Sequence, residues 1–200
     1  MRGFLHAFPL LALPALLCWL HTQRAAAAPS PAPASPNLIE IQRALVGSWA
    51  GTLEYRDFSE PATSTKRVKL PTWLGIEPAG PDLRFHYIYD DGPAKTVTET
   101  SLIRIDPTAA RYAIIDPTGK LEDSYAIAGL ADLRQGRGTL TLSGTGTENN
   151  ATVEVRTTIR IGRNILEFTR ETGASGQPFT FRHAYTLVRV APPPVITPGK

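Results

Sequence analysis

The sequence predicts an all-β fold, an antiparallel up-and-down barrel of about eight to ten strands with a short N-terminal helix. Three observations carry that expectation. From Trp49 onward apolar and polar residues alternate with a period of two. Clusters of turn-forming residues recur at intervals suited to hairpins. No long helical pattern separates the alternating runs, which argues against a parallel βαβ fold.

Taken in order, Asn37 to Leu45 reads as a short helix. Leu38, Ile41, Gln42 and Leu45 keep helical spacing, and Asn37 is its cap. The first strand places Trp49, Gly51, Leu53 and Tyr55 on one face. Leu83, Phe85, Tyr87 and Tyr89 share a face of the next. Val97–Ile105, Arg111–Ile115 and Leu121–Ile127 follow, then a Thr-rich strand over Gly138–Thr147. Val153, Val155, Thr157, Ile159 and Ile161 alternate along another, and Ile165–Arg170 comes after Gly162-Arg163-Asn164. In the last strand Phe179, Phe181, His183, Tyr185 and Leu187 fall in phase. The joints include Asp90-Asp91-Gly92-Pro93, Asp116-Pro117-Thr118-Gly119 and Glu148-Asn149-Asn150. A series of strands in sequence order must dispose of its edges, and closure into a barrel does so. An open two-sheet sandwich is the rival.

The ends of the chain read differently. Residues 1–28 combine a basic start, an apolar run through Leu20 and the small residues Ala25–Ala28, the parts of a secretory signal peptide. The apolar run is short and proline-rich for a membrane span, so no span is expected in the mature chain. Leu17 before Cys18 does not suit lipidation. Cleavage near Ala27 removes Cys18, the only cysteine, and with it all thiol chemistry. Residues 29–37 form a Pro/Ala-rich linker, residues 38–190 the barrel, and residues 191–200 a Pro-rich tail. The expected location is secreted or periplasmic.

Charge excludes one class of partner. The chain has 21 Lys plus Arg against 18 Asp plus Glu, and removing Arg2 and Arg24 leaves 19 against 18. The cations are interspersed with acids and form no stripe for phosphates, so no nucleic-acid partner is expected.

Chemistry must then rest on few residues. After signal removal His86 and His183 are the remaining histidines, too few for a three-histidine zinc site. His86 is in phase with Arg84 and should face solvent. His183 shares a face with aromatics, either as a core histidine satisfied by Glu99 or Glu167 or as a ligand contact. Tyr55, Phe85, Tyr87, Phe181, His183 and Tyr185 are the candidate ligand-binding residues, an apolar wall with a few polar tips. The bland alternative is that these aromatics fill the interior. There is no Gly-x-Ser-x-Gly elbow, adjacent carboxylates such as Asp90-Asp91 point opposite ways, and no catalytic residue is assigned.

Gly47-Ser48-Trp49 at the head of the strands, with Arg189 on the last one, resembles the lipocalin and wider calycin group. That resemblance implies a lipocalin-like barrel in which Trp49 plugs the closed end and Arg189 or Arg182 packs on the indole. A second stretch, Leu45-Val46-Gly47-Ser48-Trp49-Ala50-Gly51 with Gly176-Gln177-Pro178-Phe179 through His183 to Arg189, is similar to nitrobindin-type barrels. It implies haem as a cofactor, with His183 as its ligand; otherwise no cofactor is expected. The leading expectation is an exported protein holding a small hydrophobic or amphipathic ligand in its barrel. The alternatives are a packed barrel with a structural or protein-interaction role in the envelope, and the haem-binding barrel.

Overall fold

The structure, a computed structural model, describes residues 38–61 and 64–191. Helix α1 (Leu38–Leu45) leads into ten strands: β1 (Gly47–Arg56), β2 (Arg67–Ala79), β3 (Asp82–Asp90), β4 (Thr96–Asp106), β5 (Arg111–Ile115), β6 (Leu121–Ala128), β7 (Gly138–Glu148), β8 (Ala151–Ile161), β9 (Ile165–Gly173) and β10 (Thr180–Val190). Each strand pairs antiparallel with its sequence neighbours, and β1 pairs with β10 to close the barrel. The all-β, up-and-down reading therefore holds, and the open sandwich does not. The expected signal peptide, linker and Asn37 cap and most of the expected Pro-rich tail lie outside the described residues.

One strand departs from the alternating runs seen in the sequence. β2 carries Pro71 and Pro78, which break a strand pattern because proline donates no ladder hydrogen bond. The register explains the tolerance. The β2–β3 ladder stops at Thr72, so Pro71 lies past its end. The β1–β2 ladder stops at Ile76, so Pro78 lies past that one.

The core gathers at one end. Trp49, Leu74, Leu166 and Leu187 have no more than trace exposure there, and α1 covers them with Ile41, Ala44 and Leu45. Trp49 Nε1–H donates to the Leu45 carbonyl at 2.9 Å, fixing helix to strand. The Arg189 guanidinium lies 4.1 Å from the Trp49 ring centroid. Its Nη1 and Nη2 donate at 2.7 Å to the carbonyls of Val46 and Ala44, the orphan acceptors at the end of α1. Gly47 is required beside them: its φ is +137°, and a Cβ would collide with Arg189 Nη1. Arg182, the other candidate for the indole, sits at the opposite end, paired with Glu148 at 2.7 Å and stacked on Phe58.

The hairpin turns follow turn chemistry. Asn149 and Asn150 both take positive φ, as a two-residue loop between β7 and β8 demands. Asp116 Oδ1 accepts from the backbone of Thr118 and Lys120 and from the Thr118 hydroxyl, which holds its carboxyl below the usual range.

Candidate functional site

Away from the Trp49 end the interior is not filled. A cavity of about 260 Å³ lies among the inward residues of β3 to β10. Two local features make the room. Gly144 and Gly146 are the inward positions of β7, in register with Val155 and Val153. At Gly144 an added Cβ would stand 2.8 Å from the Tyr125 ring, and at Gly146 it would stand 3.3 Å from Arg170 Nη2. Their missing side chains let Tyr125 and Arg170 lie against the wall.

The second feature is a gap in that wall. Residues 96–101 of β4 pair with β3 alone, because β5 reaches only as far as Leu102. Residues 144–148 of β7 pair with β8 alone, because β6 meets only Thr141 to Ser143. The short β5–β6 hairpin thus leaves a notch between β4 and β7, and Glu99, Glu122 and Asp123 of that region line the cavity.

Three of the six residues expected at a ligand site line this space: Tyr87, His183 and Tyr185. The other three are elsewhere. Phe85 is buried beneath it, only 2% exposed and edge-on to Phe168 at 6.5 Å. Tyr55 is in register with His183 but half-buried outside the lining. Phe181 leaves the His183 face altogether. A register shift between Phe181 and His183 sets Phe181 opposite Glu171, and it lies under the Arg67 guanidinium at 4.4 Å. A bulge inserts one residue and so reverses the alternation that joined Phe181 to His183. Phe179, likewise, stacks with Arg156 at 4.5 Å.

The lining is aromatic and tyrosine-rich. Tyr87 stacks on Tyr89 with centroids 5.8 Å apart and tilts against Tyr185 at 5.3 Å. Tyr89 and Tyr185 share a hydroxyl–hydroxyl hydrogen bond of 2.9 Å, and the Tyr89 hydroxyl also donates to Glu99 Oε2 at 3.3 Å. Burial pushes the Tyr185 hydroxyl up to about 12 and raises those of Tyr87, Tyr89 and Tyr112, so all stay protonated donors.

His183 stands edge-on to Tyr185 at 5.7 Å. Neither carboxylate expected to satisfy it does so: Glu167 pairs with Arg160 at 2.7 Å, and Glu99 takes the Tyr89 hydroxyl. Burial, with the charges of Arg170 and Arg182, lowers its pKa to about 4. At neutral pH the ring is therefore uncharged, with one nitrogen lone pair and one N–H. His86 faces the outside, where its Nδ1 hydrogen-bonds the Thr100 hydroxyl at 2.8 Å.

Arg170 also lines the cavity and is not among the six residues expected there. It follows Leu166 and Phe168 at a spacing of two, which marks an arginine on the inner face. Among the described residues no group of three His, Cys, Asp or Glu side chains could hold a metal ion. No described helix is long and apolar enough to cross a membrane.

Neither a protein-family model nor a curated protein matches this chain. A solved structure does. The crystal structure of Rv2717c from M. tuberculosis is similar at a TM-score of 0.50, over 76% of this chain and 97% of that one, with 17% identical residues. The likeness is one of fold. It supports the closed antiparallel barrel and leaves the chemistry to the residues above.

Proposed function

We propose that this protein is an exported binding protein that holds a small hydrophobic or amphipathic molecule in the notched half of its barrel. The cavity of about 260 Å³, reached through the gap between β4 and β7, is the observation that supports this reading. It falls just below the roughly 300–1,000 Å³ found for small-molecule pockets, which suits a small ligand. Burying apolar surface of the ligand against Ile103, Leu142, Ile159 and Phe168 would drive binding. The hydroxyls of Tyr87 and Tyr185 and the neutral His183 would orient it. Export rests on residues 1–28, whose composition suits a cleaved leader.

The test is native mass spectrometry of the protein purified without detergent. The expected spectrum carries an extra mass that leaves on activation and is absent from Thr157→Phe, which puts a ring into the cavity. A bare polypeptide mass, unchanged after incubation with mixed lipids, would contradict the reading and favour a packed envelope protein acting through its outer surface.

A second reading, haem held by His183, has one observation behind it. The imidazole is neutral, lines the cavity, and has no hydrogen-bond partner among the described residues. Volume weighs against it, because a macrocycle exceeds the enclosed space and would project through the notch. Titration with haemin, giving a visible spectrum of an imidazole-bound iron that His183→Ala loses, would promote this reading.

A further inference from the structure

We propose that Arg170 is the anchor for an anionic head group, so that the ligand is an acidic amphiphile such as a carboxylate with an alkyl tail. The inference rests on the cavity reading above and names the ligand class for that same site.

The other arginines of β8 to β10 near this half of the barrel have carboxylate partners, on the outer face for Arg156 and Arg160 of β8 and between the non-adjacent strands β10 and β7 for Arg182. Arg156 pairs with Glu171 at 2.9 Å, Arg160 with Glu167 at 2.7 Å, and Arg182 with Glu148 at 2.7 Å. Arg170 points inward, where a charge costs more, yet no described carboxylate lies within 4.0 Å of it. Its Nη1 donates one hydrogen bond, to the Tyr125 hydroxyl at 3.1 Å. The rest of the fork leans over Gly146 toward the cavity. An inward guanidinium with donors left over has the geometry and charge to take an anion.

The acids that face this space from other strands do not fill that role. Glu99 of β4 and Glu122 of β6 are exposed at the notch, and water screens them. Glu99 also accepts from Tyr89. Asp123 of β6 and Arg170 both interact with the Tyr125 hydroxyl, and no ion pair within 4.0 Å joins the two. His183 of β10, in register with Arg170, is held neutral beside it, so it can donate its N–H to the same anion. Below the head group Leu142, Ile159 and Phe168 provide an apolar wall for the tail.

Calorimetric titration with decanoate, decanol and decylamine, each below its aggregation threshold, separates head-group recognition from tail burial. Decanoate should bind roughly tenfold or more tighter than decanol, from charge-assisted hydrogen bonds alone. Arg170→Met should abolish that preference and leave decanol affinity within about twofold, whereas Arg170→Lys should keep part of it. Added salt should narrow the preference in the wild type, a readout that stands even where Arg170→Met fails to fold. Equal binding of decanoate and decanol, preference for decylamine, or an Arg170→Met protein that still favours decanoate would overturn the proposal while leaving the cavity reading intact. Absence of binding by all three would instead remove the cavity reading, and this inference with it.

Discussion

The two ends of this barrel are built from the same alternating strands and are put to opposite uses. The α1 end is packed: Trp49 is fully buried, its indole N–H is bonded, and Arg189 lies on its face while bonding the carbonyls of Ala44 and Val46 where α1 ends. At the notched end the inward positions include two glycines, an arginine and a histidine, and the strands on either side of the β5–β6 hairpin lose their neighbours. The difference teaches where stability resides and where binding can. A filled end can hold the closed sheet together, which frees the other end to carry an unfilled, partly charged interior.

The largest effect should come from breaking the filled end. Trp49→Ala leaves a cavity and orphans the Leu45 carbonyl, and should cost about 3–5 kcal/mol in urea unfolding. A loss below about 1 kcal/mol would mean that the Trp49 end is not the anchor.

His183 sharpens the comparison through pH. Its folded pKa, about 4, lies below the ordinary value of 6.5. As pH falls through 6.5 the unfolded chain takes up a proton that the folded chain refuses, so stability drops until about pH 4 and then levels off. The loss is of order 3 kcal/mol at most, since water reaches the cavity. Unfolding curves between pH 7 and 4 should show this slope, and His183→Leu should flatten it. A parallel slope in that variant would place the titrating group elsewhere.

Arg189→Met should cost about 2–3 kcal/mol, because it leaves the Val46 and Ala44 carbonyls without their donor and removes the cation from the indole. Smaller still, Tyr185→Phe removes one shared hydrogen bond with Tyr89 and should cost about 1 kcal/mol or less. Both are read by denaturant midpoint at constant slope.

The filled end was readable from the sequence because it follows periodic rules. Gly47, Trp49 and Arg189 sit at recognisable places, and each alternating run keeps its phase as far as the core. Elsewhere the chain departs from the rules that make reading possible. β2 hides behind Pro71 and Pro78, whose tolerance depends on where neighbouring ladders stop. Phe181 looks inward by phase and turns outward at a bulge that no residue type announces. The cavity is made by what Gly144 and Gly146 lack, and by a hairpin whose shortness matters only once its neighbours are known. Tyr87, His183 and Tyr185 were legible as a wall. Arg170 carried the same phase signal and needed only to be read as inward.

The division of labour is tested most directly by measuring alkyl-ligand affinity and unfolding free energy together on Trp49→Phe and Thr157→Phe. The account predicts that Trp49→Phe loses stability and keeps affinity, while Thr157→Phe keeps stability within about 1 kcal/mol and loses affinity by roughly tenfold or more. Equal affinity in wild type and Thr157→Phe would contradict it, because the binding site would then lie outside the cavity.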